Sequence, residues 1–158
     1  MMKQNQLFIA TFSNDAAQLA RAYGIGLELN HTCISEMLDP SNRDALLEEI
    51  RRDMDASGAD TPQKLLLHGP FTEIYPAAID YRARELGMQR LNEAYAVAAA
   101  LGVTRMIVHN GWLPFIYFKS WQAEKAPCSG EISCAISPRT SSFVLKTCWR
   151  MNRICSSI

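Results

Sequence analysis

The stretch that decides the fold of this 158-residue chain runs Gly102-Val103-Thr104-Arg105-Met106-Ile107-Val108-His109-Asn110-Gly111. Its centre is a short apolar run that ends in a histidine, with a glycine on each side. An earlier stretch, Lys64 to His68, has the same form and is followed by Gly69-Pro70. Because both runs are apolar along most of their length rather than alternating, they are typical of parallel strands covered on both faces.

The rest of the first 127 residues repeats this unit. We predict the strands at 7–12, 26–30, 64–68 and 105–109. The predicted helices begin near residues 16, 39 and 76, and a further amphipathic segment starts at Phe115. The order β-α-β-α-β-α-β-(α) indicates an α/β fold, either an open doubly wound sheet or a (β/α)8 barrel. Thr11 to Asp15 contain no glycine, so the phosphate loop of a nucleotide-binding sheet is missing after the first strand.

Polar side chains gather where the predicted strands end. Glu28, Asn30 and His31 close the second strand, His68 closes the third and His109 the fourth. Since the carboxyl ends of parallel strands form the active face of α/β proteins, we expect Glu28, His68 and His109 to share one concave site. For His68 and His109 a structural role is the alternative, and for Glu28 the alternative is a salt bridge to a loop.

Charge and hydropathy exclude several classes of function. Sixteen basic residues balance sixteen acidic ones, so no global field attracts nucleic acid or an anionic membrane. The sequence contains no run of 18 apolar residues, which predicts that the chain has no membrane span. The polar first six residues and the short apolar run after them do not fit a signal peptide. We therefore expect a cytoplasmic protein with reduced thiols.

Three motifs together resemble a known superfamily. They are Gly26-Leu27-Glu28-Leu29, Leu67-His68-Gly69-Pro70-Phe71 and the ten residues from Gly102 to Gly111. In this combination they look like the xylose isomerase-like barrels, which include sugar phosphate isomerases and epimerases and apurinic endonucleases of the endonuclease IV type. The resemblance covers residues 7–127 and implies the first half of a (β/α)8 barrel: four parallel strands with outer helices and an irregular tail.

The resemblance also implies roles for the strand-end residues. In the isomerase branch the two histidines line the sugar pocket, so Glu28, His68 and His109 become candidates for binding a sugar or sugar phosphate. In the endonuclease branch His68 and His109 would bind metal. The complete family uses a divalent ion (Mn, Mg, Co or Zn), held in the isomerases by carboxylates and a histidine from later strands. A catalytic metal needs three protein ligands, and this sequence offers two convincing ones.

The composition changes at residue 128. Residues 1–127 contain one cysteine and five serines, whereas residues 128–158 contain four cysteines and seven serines. The tail has four basic residues and one acidic residue, while the body is net acidic. We therefore divide the chain into a half barrel at 1–127 and an aberrant, poorly ordered tail at 128–158.

A shifted reading frame accounts for this tail. If the last base of each codon is read with the first two of the next, the residues from Cys128 permit the amphipathic sequence F-W-R-D-F-L-R-D. The codons around Leu145 to Arg153 permit V-E-N-V-L-E-D-E-P-D, which resembles the family's fifth strand and its metal-binding glutamate. We interpret the tail as a frameshift product. The alternative is a natural Cys- and Ser-rich tail with free thiols.

These features favour a truncated relative of a sugar phosphate isomerase or epimerase. The family chemistry is metal-assisted proton transfer on a keto sugar, and we expect this chain to be inactive alone, with no catalytic residue assigned. The alternatives are a metal-dependent apurinic endonuclease, which the acidic body disfavours, and a non-catalytic half-barrel interaction module. Whether the chain is an enzyme is left open. Exposed sheet edges predict self-association.

Overall fold

The computed structural model describes residues 7–59, 61, 64–76, 78–109, 111, 116, 118 and 120, together with the backbone of 142–146. Its elements are the following: β1 (Phe8–Ala10), α1 (Ala16–Tyr23), β2 (Gly26–Leu29), a 3-10 turn (Ser35–Leu38), α2 (Arg43–Ser57), β3 (Leu65–His68), α3 (Tyr81–Ala100), β4 (Arg105–His109) and β5 (Ser142–Lys146). The fold is therefore α/β, as the sequence predicts.

The five strands form one parallel sheet in the order β1-β2-β3-β4-β5. Each strand pairs with the strand that follows it in the sequence, and the described order contains no reversal of winding. A doubly wound sheet reverses its strand order and carries helices on both faces, whereas a barrel adds strands in one direction with helices outside. The architecture is therefore that of part of a (β/α)8 barrel.

Pairing register divides the sheet into two faces. Leu27 pairs with Leu65, and Leu67 pairs with Met106, so these residues share one face. They belong to a single core cluster with side chains from all three helices, of which Ala20, Ile50, Leu91 and Val97 are examples. We call this the helix-covered face. The opposite side, the inner face, carries the alternate residues of the strands: Glu28, Leu66, His68, Ile107 and His109.

Local sequence explains where the helices begin and end. α1 and α2 both end at a glycine in the left-handed conformation, Gly24 (φ 63°) and Gly58 (φ 62°). This conformation is open to glycine without a steric penalty. α3 begins at Tyr81 and not near Pro76 as predicted, because the Asp80 side chain accepts a hydrogen bond from the Arg82 amide and caps the helix there.

The fifth strand was not predicted. Ser142–Lys146 pairs in parallel with β4 inside the stretch that the composition marks as an irregular tail. Phe143, Val144 and Leu145 are strand formers, and the open edge of β4 offers them unpaired backbone groups. This apolar run was not predicted as a strand because it is short and lies within a Cys- and Ser-rich segment. The division of the chain at residue 127 and the frameshift interpretation stay predictions.

Two other predictions concern the segment after β4 and the absence of a membrane span. The amphipathic segment that starts at Phe115 lies largely outside the described residues. Among the helices that are described, none is both long enough and apolar enough to cross a membrane.

Candidate functional site

The two strand-end histidines meet on the inner face. β3 and β4 are adjacent, and their register pairs His68 with Ile107, so His109 projects from the same face one step further along. The two Nε2 atoms are 3.2 Å apart, and the ring centroids are 5.0 Å apart. The sheet thus brings together two imidazoles that are 41 residues apart in the sequence.

Hydrogen bonding determines which nitrogen of each ring carries a proton. Nδ1 of His68 lies 2.9 Å from the carbonyl oxygen of Gly69, which can only accept, so Nδ1 is the protonated nitrogen. In a neutral His68 ring, Nε2 is then an acceptor. His109 therefore donates its Nε2 proton to His68.

Two neighbours hold His68 in place. The hydroxyl of Thr32 is fully buried and donates to the His68 carbonyl oxygen at 2.5 Å, which ties the loop after β2 to the end of β3. Phe71 packs edge-on against the His68 ring, with centroids 5.2 Å apart, and lies tilted against the His109 ring, with centroids 5.0 Å apart. His68 itself is only 5% exposed, whereas Phe71 is 38% exposed, so Phe71 forms the outer wall of the pair.

Glu28 lies on the same inner face, one layer nearer the start of the strands. Its register partner is Leu66, two residues before His68, which corresponds to an offset of roughly 7 Å along the strand. Its carboxylate accepts a hydrogen bond from the side-chain amide of Asn30 at 3.3 Å. The structure places Glu28 below the histidine pair on a shared surface.

Cys33 lies beside this carboxylate, and its thiol is unreactive near neutral pH. It is buried, and burial raises the pKa of its thiol to about 11. A hydrogen bond from Asn30 opposes that shift, and the charge of Glu28 adds to it. Because the thiolate is the reactive form, Cys33 is not a nucleophile near neutral pH.

The geometry of the histidine pair fits one edge of a metal site. Zinc binds imidazole nitrogen at about 2.0–2.1 Å, so two nitrogens of a tetrahedral site are about 3.4 Å apart. The bond from His68 Nδ1 to a carbonyl is the usual outer support of a metal-binding histidine. Among the described residues, however, no group of three His, Cys, Asp or Glu side chains could hold an ion.

His31, the third histidine, does not join the pair. Its Nε2 lies 3.2 Å from a carboxylate oxygen of Asp53 on α2, so it links the end of β2 to the helix layer. A pocket of about 250 Å³ opens beside it and is lined by Asn30, Glu49 and Asp53, among others. This pocket lies between α1 and α2 at the ends of β1 and β2, apart from the inner-face histidines.

The sequence predicts Glu28, His68 and His109 as site residues, and this stays a prediction; it does not point to the residues that contact them. Phe71 stands three residues after His68, and Thr32 and Cys33 follow β2. No periodic pattern in the sequence marks these residues. Thr32 and Cys33 make contacts with residues that are 36 or more positions away in the sequence. A loop aromatic next to a strand-end histidine is the one signal that could have pointed to Phe71.

The fold and the strand-end site define a class: a parallel α/β protein wound as part of a (β/α)8 barrel, with imidazoles at the carboxyl ends of neighbouring strands. No protein-family model matches the sequence, and no curated protein matches it either.

The solved structures that are similar to this chain include the following two. The TTHB071 protein from Thermus thermophilus, soaked with ZnCl2, has a TM-score of 0.60 and 24% sequence identity, with 89% of this chain and 55% of that chain covered. A D-tagatose 3-epimerase-like protein has a TM-score of 0.51 and 19% identity, with 75% of this chain and 43% of that chain covered. This chain thus spans about half the length of either structure. At these identities the likeness shows the fold.

Proposed function

We propose that this chain carries the first part of the sugar-binding face of a xylose isomerase-like barrel and binds a small keto sugar or sugar phosphate there. The observation that carries this proposal is the contact between His68 and His109 on the inner face at the strand ends. The similarity to a D-tagatose 3-epimerase-like protein supports the choice of a sugar as ligand.

The chemistry of the three candidate residues suits a polyol. The Glu28 carboxylate accepts hydrogen bonds from hydroxyl groups, and each imidazole both donates and accepts. Phe71 offers an apolar wall beside them for the carbon face of a sugar, while the polar groups set its orientation. Binding would replace the hydrogen bond between His109 and His68 by bonds to neighbouring hydroxyls.

We further propose that the chain does not isomerise a sugar by itself. In the complete family a divalent ion polarises the carbonyl and hydroxyl of the substrate, and a carboxylate moves the proton between adjacent carbons. The described residues supply two nitrogen ligands for such an ion and no third. This incomplete donor set is the support for binding without turnover.

Calorimetric titration of the full chain with D-tagatose, D-fructose and D-fructose 6-phosphate tests the proposal. We expect saturable binding that is weakened at least tenfold in His109→Gln. His31→Gln is the matched control, because that ring contacts Asp53 and not the inner face. Equal loss in both variants, or no binding by the unsubstituted chain, would contradict a sugar site at the histidine pair. Turnover in the presence of Mn²⁺ or Zn²⁺ would contradict the second proposal.

An apurinic endonuclease is the second candidate, favoured by the metal-compatible spacing of the two Nε2 atoms. The net acidic body counts against it, because binding to phosphates needs a basic groove. Binding to a duplex with one abasic site, measured at several salt concentrations, separates the two candidates. A steep decrease of affinity with salt and preference for the abasic duplex would favour the endonuclease.

The third candidate is a non-catalytic interaction module. β1 and β5 are the edges of the described sheet, and unpaired strand edges are templates for pairing with another chain. We propose that the chain self-associates through these edges. Light scattering over a hundredfold range of concentration tests this, and a mass equal to the monomer throughout would contradict it.

A further inference from the structure

Asn30 is a buried amide at the end of β2 whose side chain has a partner for each of its functional atoms. Its Oδ1 accepts the backbone N–H of Thr11 at 3.0 Å. Its Nδ2 donates to Glu28 Oε1 at 3.3 Å and contacts the Cys33 sulfur at 3.7 Å. Only 6% of Asn30 is exposed. A buried polar group with this many partners is costly to disturb.

The Thr11 contact settles the orientation of this amide. The backbone N–H of Thr11 can only donate, so the atom facing it must be the carbonyl oxygen of Asn30. The NH2 group must then face Glu28 and Cys33. A carboxylate is the stronger acceptor of these two, because hydrogen bonds to an ionised group are about twice as strong as neutral ones.

We propose that Asn30 is the positioning residue of the sugar site, holding the Glu28 carboxylate in a fixed orientation on the inner face. The 3.3 Å hydrogen bond places the Asn30 amide next to the Glu28 carboxylate at the end of β2. Asn30 donates to one carboxylate oxygen, and the proposal assigns the remaining acceptor positions of Glu28 to hydroxyl groups of the sugar. This inference rests on the proposed sugar binding.

Asn30 also ties β1 to β2, and that structural role must be separated from positioning. The Asn30 backbone N–H donates to the Thr11 hydroxyl at 2.9 Å, in addition to the bond from Thr11 N–H to Oδ1. Thr11→Val removes the hydroxyl from this tie and leaves the Asn30 amide and Glu28 in place. It is therefore the matched control for a loss of strand-end rigidity alone.

Asn30→Asp is the informative substitution. The aspartate keeps an oxygen for the Thr11 N–H but replaces the NH2 donor by a second carboxylate facing Glu28, which is repulsive. In Asn30→Asp/Glu28→Gln the donor and the acceptor exchange places, so the hydrogen bond can form again with reversed polarity. A double-mutant cycle on the urea unfolding of the full chain measures this coupling.

We expect Asn30→Asp to lower the folding equilibrium constant at least tenfold and Glu28→Gln to restore most of that loss in the double variant. Additive effects would overturn the Asn30–Glu28 contact. If Asn30→Asp does not fold, Glu28→Gln alone decides the point: the ¹⁵N side-chain resonance of Asn30 must then shift, and an unchanged resonance would overturn the contact.

Calorimetry with D-tagatose and D-fructose tests the role of the contact. We expect Asn30→Asp to weaken binding at least tenfold while Thr11→Val leaves it within twofold. Similar losses in both variants, or none in Asn30→Asp, would overturn positioning. If the unsubstituted chain binds neither sugar, the proposed function fails and positioning for a sugar fails with it, whereas the unfolding cycle still decides whether Asn30 holds Glu28.

Discussion

Thr32 offers the sharpest test of how the histidine pair is held. Its hydroxyl is fully buried and donates to the His68 carbonyl at 2.5 Å, the one described side-chain bond from the β2 loop to the end of β3 that reaches His68 itself. Thr32→Val keeps the shape of the side chain and removes the donor. The carbonyl of a residue that is 5% exposed then loses a partner that water cannot replace.

The expected cost follows from that burial. Leaving a buried polar group without its partner costs about 1–3 kcal/mol. The methyl that replaces the hydroxyl recovers part of this, so we expect a net loss of about 1–2 kcal/mol, or roughly a 5- to 30-fold change in the unfolding constant. Urea unfolding followed by fluorescence measures the free energy through the shift of the midpoint.

Thr32→Ser is the matched control because it keeps the hydroxyl and loses the methyl group. Both variants lose stability, but only Thr32→Val breaks the bond to His68. We therefore expect the ¹⁵N resonance of the Gly69 amide, which follows the His68 carbonyl, to move in Thr32→Val and to stay in Thr32→Ser. A loss below about 0.5 kcal/mol in Thr32→Val, within the range of ordinary surface substitutions, would refute the reasoning.

Four further outcomes can be measured on the same chain. Gly26→Ala places a methyl group well inside van der Waals contact with the Phe8 ring, so we expect overpacking to lower the free energy of unfolding by about 1–3 kcal/mol. Urea unfolding of Gly26→Ala/Phe8→Val should show that part of this loss is recovered, and purely additive losses of stability would contradict the clash. The Cys33 pKa of about 11 leaves about one thiol in a thousand ionised at pH 8, so its alkylation in the folded chain should be far slower than in urea, and equal rates would be incompatible with burial. The Cys33 pKa, raised from 9.0 in the unfolded chain, predicts that this residue's contribution to stability is full below pH 9 and declines toward pH 11, because the unfolded chain loses the proton first. If unfolding between pH 9 and pH 11 depends on pH in the same way in Cys33→Ala, this contribution is contradicted. Phe71→Ala should weaken sugar binding several-fold because the apolar wall is lost, whereas Phe71→Leu should retain most of the affinity. If calorimetry shows that both variants bind sugar like the unsubstituted chain, Phe71 does not act as this wall.

Local sequence was sufficient for the first four strands, and the assignment of the residues that end them to a site stays a prediction. The prediction of four parallel strands is confirmed, and β4 has the predicted bounds, because continuous apolar runs with glycine turns have few other uses. Glu28, His68 and His109 could be selected because they are polar residues at strand ends, and the direction of parallel strands places such residues at one edge.

Other features depended on contacts between distant segments. The order of the elements left both a doubly wound sheet and a barrel open, and only the family resemblance predicted a partial barrel. The strand order, with the three described helices on one face, shows the barrel-type winding. β5 depended on the free edge of β4, which no local composition reveals. The start of α3 depended on a single cap at Asp80, where a weak local preference competes with the rest of the turn.

The amino-acid sequence by itself determined the first four strands, their parallel direction and the residue types at their ends, because those properties follow from short-range patterns of apolar and polar residues. Only the tertiary structure decided that His68 and His109 touch, that Asn30 faces Glu28 and that Thr32 holds the His68 carbonyl. The physical reason is pairing register. A shift of one residue between two strands would turn every inner-face side chain to the helix-covered face, and this register is set by packing across the whole sheet.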